Sequence, residues 1–178
     1  MQEHFGVIVM ALALADLLGT PADGTDLDRN IEIGKKATGA SSAIAAGRTV
    51  FLTPSTGVWA ITTSTFTGRQ GIVPKLHPLN VDADDTLQVA TGQGSQWYVE
   101  ADGAIKPGQP CTGTTAGKVV GVSDFDTTAT PTETTIEAAI AAASAPFIYV
   151  GHYGEGSGLY NDPTDAAQAD PIRVEIRR

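Results

Sequence analysis

The sequence predicts a mainly β fold, a small β-barrel or β-sandwich, with one short helix near residues 131–144 and an apolar N-terminal segment. Three observations carry this. Thr, Val and Ile recur between turn-forming residues, and 20 Gly and 10 Pro are spread through the 178 residues, as expected of short strands joined by tight turns. The stretch Ile172-Arg173-Val174-Glu175-Ile176 alternates apolar and charged side chains, the period of a strand with one buried and one wet face. With 42% hydrophobic and 17% charged residues, the chain is too apolar to be disordered. At this length a domain buries roughly 70% of its unfolded surface, so no disulfide is needed, and the lone Cys111 allows none within the chain.

The first element is the run Phe5 to Leu18 (FGVIVMALALADLL). It falls short of the about 18 apolar residues that a membrane helix needs. No Lys or Arg precedes it and Glu3 is acidic, so a signal peptide is disfavoured although Ala13-Leu14-Ala15 resembles a cleavage site. Apolar in every direction, the run is expected in the domain core, a subunit interface or a pocket on the partner, with an interface preferred over the core. Residues 1–30 are therefore read as an N-terminal arm, closed by the turn-rich GTPADGTDLDRN, and 31–178 as the β-rich domain.

Short strands are expected at Thr49–Thr53, Val58–Thr65, Gly71–Val73, Thr86–Ala90, Gln96–Glu100, Lys118–Ser123, Phe147–Val150 and Ile172–Ile176. Between Ser123 and Phe147, Thr130-Pro131-Thr132-Glu133 reads as a capping box with proline at the first helical position. Ile136 and Ile140 follow at i, i+4 and Pro146 stops the run; the competing reading is a loop feeding a Thr/Ile strand. Ala43-Ile44-Ala45-Ala46-Gly47 and Ala104-Ile105-Lys106-Pro107-Gly108 each precede a short extended segment, a glycine and a second one. They fit two similar hairpin units in one domain.

Catalytic and metal-binding patterns are lacking. His4, His77 and His152 stand apart, with no HExxH and no CxxC. GHYGEGSG (Gly151–Gly158) matches neither phosphate-loop pattern and runs into Asn161-Asp162-Pro163, which breaks a helix. Ser157 is not in a GxSxG elbow. Asp23, Asp26 and Asp28, and Asp82, Asp84 and Asp85, match no calcium-loop spacing and read as solvated turns. No enzyme activity, cofactor or metal is expected. A net charge of −9 argues against a nucleic-acid partner, which needs a basic surface; Arg173, Arg177 and Arg178 read as a solvated strand end. Trp59 and Trp97, each inside a strand candidate, are either core (a barrel plug) or interface anchors. The interface candidates are Phe5, Ile8, Val9, Leu12, Leu17, Leu18, Trp59 and Trp97.

The string AIKPGQPCTGTTAGKVVGVSDFD (Ala104–Asp126) resembles the small decoration, or cement, proteins of tailed-virus capsids. There, too, an I-x-x-G turn introduces a strand and V-x-G-V-x closes the passage; AIAAGRTVFL has the same style. The resemblance implies a β-barrel or β-tulip-like protomer, forming a homotrimer on the exterior of a virion. Its partner would be the major capsid protein, with neither membrane nor nucleic acid engaged. It implies a structural role, stabilising contacts between capsid subunits. Another virion or tail structural protein, or a secreted adhesin or carbohydrate-binding domain, is the alternative.

Overall fold

The computed structural model describes residues 17–21, 31–36, 44–61, 69–75, 86–122, 132–152 and 171–177. Among these residues the fold is mainly β, with a closed five-stranded barrel and one short helix. The barrel is built from β1 (Ile31–Lys36), β2 (Thr49–Thr53), β3 (Val58–Ala60), β4 (Gln70–Ile72) and β5 (Thr86–Ala90). A second sheet follows from β6 (Gln96–Glu100), β7 (Pro110–Gly113), β8 (Val119–Gly121), β9 (Phe147–His152) and β10 (Pro171–Ile176). Helix α1 (Glu133–Ser144) lies between β8 and β9.

The two sheets repeat one topology. In the first, the hydrogen-bonded order is β3-β2-β4-β5-β1, and a parallel pairing of β1 with β3 closes the ring. In the second it is β8-β7-β9-β10-β6, the same order five strands later. Ala101, directly after β6, bridges in parallel to Val119 of β8, where the barrel has its closing pair. The lead-in turns agree as well. Arg48 N–H donates to the Ala45 carbonyl as Gln109 N–H donates to that of Lys106, and Gly47 and Gly108 sit at φ 76° and 78°. Gly47 and Val73 N–H groups donate to Val73 and Arg48 carbonyls; Gly108 and Tyr149 N–H groups donate to Tyr149 and Gln109 carbonyls. Only glycine reaches such a positive φ without strain. The echo in the sequence is thus the visible part of a two-unit architecture.

Each unit has an apolar centre. In the barrel Ile44, Val50, Val73, Leu87 and Val89 surround Trp59. The larger cluster joins Trp97, Val99, Ile105, Phe147, Tyr149 and the inward row Ile172, Val174 and Ile176 to Ile72 and Ala90 of the barrel. This common core makes the units one body, and each large side chain buried in it contributes roughly 1.5–3 kcal/mol. The alternation expected of the last strand is present: Ile172, Val174 and Ile176 are buried while Arg173 and Glu175 are half-buried.

Polar contacts also cross between the units. The Glu100 carboxylate at the end of β6 accepts from Arg48 Nη1 at 3.0 Å and Lys118 Nζ at 2.6 Å. Thr49 N–H donates to the Gly117 carbonyl at 2.7 Å. Residues 17–21 belong to this framework rather than to a separate arm. Gly19 N–H donates to the Tyr98 carbonyl, Tyr98 N–H to that of Thr20, and Lys75 N–H to that of Gly19.

The helix forms where expected but starts later. Its N-cap is Thr132, whose hydroxyl accepts from Thr135 N–H while Thr135 Oγ1 accepts from Thr132 N–H. The box is therefore Thr132/Thr135 and not Thr130/Glu133, with a threonine hydroxyl in the place usually held by Glu or Gln. Glu133 then lies in the first turn, favourably placed against the helix dipole.

Candidate interaction surface

The two tryptophans are closed off by their own chain. Trp59 is 1% and Trp97 0% exposed. Trp59 plugs the barrel beside β1, where Gly34 leaves room for the indole: a Cβ there would run into the ring. Arg69 reaches over the same ring at 6.0 Å from its centroid and pairs with Glu32 at 2.8 Å. Trp97 Nε1 donates to Ser95 Oγ at 3.0 Å, and Ser95 Oγ donates to the Gly92 carbonyl at 2.6 Å. The indole N–H thus has its partner inside the fold, as a buried polar group requires. These side chains are core, and the interface role offered for them is corrected accordingly.

Of the N-terminal candidates, Phe5, Ile8, Val9 and Leu12 lie outside the described residues. Leu17 and Leu18 are half-buried in a turn where Thr20 N–H and Oγ1 both donate to the Leu17 carbonyl. Gly47 packs so closely against Leu18 that a side chain there would collide with it. These two leucines are held against the fold and leave only part of their surface to a partner.

His4, His77, Ser157, the GHYGEGSG loop from Tyr153 onward and both aspartate clusters lie outside the described residues. Among the described residues no group of three or more His, Cys, Asp or Glu could hold a metal ion, and no helix is long and apolar enough to cross a membrane. Cys111 is a buried thiol that donates to the Gln109 carbonyl at 3.1 Å. Burial pushes its pKa up to about 12, partly opposed by a backbone hydrogen bond with Tyr149, so it is no nucleophile at neutral pH.

What the described surface offers instead is apolar. Ile33, Ile136 and Ile140 are the large hydrophobic side chains that stand exposed, at 71%, 51% and 62%. Two of the three are on α1, which buries none of its residues. Its protein-facing side consists of the half-buried Thr135, Ala138, Ala139 and Ala142. Beside its C-terminal end lies an open groove of about 430 Å³, lined by Gln93, Gly94, Ala143, Ala145, Glu175, Ile176 and Arg177. Sequence reasoning used Ile136 and Ile140 as a sign of helix and missed them as surface. No known protein family's model matches the chain, and no curated protein matches it.

Proposed function

We propose that the chain is a structural virion protein that binds the exterior of an icosahedral capsid and stabilises contacts between major capsid protein subunits. The observation that carries the reading is the passage resembling cement proteins. Its described part, residues 104–122, forms an I-x-x-G turn leading into the β7–β8 hairpin, and the same turn and hairpin occur once more at residues 44–60. A role by contact needs a rigid body, an acidic soluble exterior and apolar surface left over for a partner. The common core, the net charge of −9 and the exposed isoleucines supply these. The proposed form is a homotrimer, as the resemblance implies; cyclic symmetry alone would also allow a dimer.

The stabilising part of the proposal is tested by heating capsid shells with and without saturating amounts of the full chain. The disassembly temperature rises when the protein is bound, because a ligand of the assembled state shifts the equilibrium toward it. Bound protein with no change in that temperature would remove the cementing role.

A further inference from the structure

The two units differ most in the length of one connection. The barrel passes from β3 to β4 across residues 61–69, whereas the second unit passes from β8 to β9 across residues 122–146, and the added length carries α1. The barrel reaches the same strand order through a connection too short for a helix of α1's 12 residues, so α1 is not required to build the unit. Nor does it feed the core, since none of its residues is buried. A helix this short is marginal alone in water. Its outward stripe is formed by Glu133, Ile136, Glu137 and Ile140, at i, i+3, i+4 and i+7, and all four are exposed. Two carboxylates therefore alternate with two isoleucines along one line.

Charge decides what can cover that stripe. The connection 122–146 holds Asp124, Asp126, Glu133 and Glu137 and contains no Lys or Arg. A second copy of α1 would bring like charges together, which is unfavourable at helix spacing and more so once desolvated. A groove with aliphatic walls and a basic rim satisfies both kinds of side chain. We infer that α1 is a docking helix, inserted into a duplicated fold, whose Glu133/Ile136/Glu137/Ile140 stripe seats in a basic-rimmed apolar groove of a different protein. Resting on the function proposed above, that protein is the shell subunit.

The test compares co-sedimentation of the full-length chain with capsid shells for three proteins: the native chain, I136S/I140S and E133K/E137K. Circular dichroism and the thermal midpoint are measured on each, and light scattering on each alone. Both double variants keep the native midpoint and sediment with shells at least tenfold more weakly, and native binding weakens as salt is raised. Native-like binding by both variants would overturn the docking helix while leaving shell binding in place. Native protein that does not sediment with shells would overturn both readings. A fall in oligomer mass for I136S/I140S would make the stripe a contact between copies and overturn the inference. If I136S/I140S lowers the midpoint, E133K/E137K decides: full binding at all salt concentrations overturns the inference.

Discussion

The side-chain carbonyl of Gln70 in β4 accepts the backbone N–H of Gly113 in β7 at 2.8 Å, so one glutamine completes the hydrogen bonding of a strand in the other unit. Its Nε2 donates to Thr112 Oγ1 at 2.9 Å, and Gln70 is only 2% exposed. Glycine is required opposite it, because a Cβ on Gly113 would meet Thr49 Oγ1 at 2.5 Å and Gln70 Oε1 at 3.0 Å. This polar seam fixes the barrel against the second sheet in one register, which apolar contact alone would not do. The Gln70→Ala variant leaves the Gly113 N–H and the Thr112 hydroxyl without these partners. It is expected to lose about 2–3 kcal/mol of stability, the cost of orphaned buried groups plus a small cavity. Urea unfolding measures this; a loss below about 0.5 kcal/mol would mean the seam is not structural.

Gly34 and Trp59 form a second obligatory pair. With the indole lying where a side chain at 34 would go, Gly34→Ala forces the ring or β1 to move, and overpacking of this kind costs about 1–3 kcal/mol. The emission maximum of Trp59, read in a Trp97→Phe background, should shift to the red as its burial is relaxed. An unchanged spectrum and midpoint would refute the plug.

Cys111 gives a pH prediction. Its thiol titrates at about 12 in the fold against about 8.5 in an unfolded chain. Below the unfolded value both states hold the proton and the group makes no difference to the slope. Above it only the unfolded state releases the proton, so stability falls with rising pH, by up to about 1.4 kcal/mol per unit until the folded value is reached. Comparing the native chain with Cys111→Ala by urea unfolding between neutral pH and pH 10 isolates this contribution. The difference between them should change with pH only above the unfolded thiol's range. Native protein should also resist a thiol reagent until it is unfolded.

Truncation separates the arm from the framework. Because residues 17–21 bond to Tyr98 and Lys75, a chain lacking residues 1–16 should remain folded, with its midpoint little changed. One lacking residues 1–21 should be destabilised by about 1–3 kcal/mol through the exposed ends of those hydrogen bonds. By the proposed function the shorter truncation also loses trimerisation, falling from three chains to one of 18.4 kDa before removal of its arm. Light scattering that still shows a trimer would place the trimer contact elsewhere.

Local pattern was enough to find most strands and not enough to close them. β2, β5 and β6 have the expected bounds, since each holds apolar residues between clear turns. β1 and β7 were missed for a physical reason. Gly34 sits in β1 to admit Trp59, and Gly113 ends β7 to admit Gln70 and Thr49, so both strands carry a residue that weakens the local strand signal. The repeated strand order was legible only at the lead-in turns, because barrel closure depends on partners far apart in sequence. On α1 the spacing of Ile136 and Ile140 announced a helix but not its orientation. The side toward the protein is filled by small alanines, and the larger side chains face out.

The most direct measurement of the central claim is occupancy. Purified full-length chain is added to capsid shells stripped of it, the shells are pelleted, and the bound protein is counted per capsid subunit. The account predicts saturable binding at a fixed whole-number ratio to the shell's repeating unit, removable without opening the shell. Absence of the protein from the pellet, or binding that rises without saturation, would contradict it.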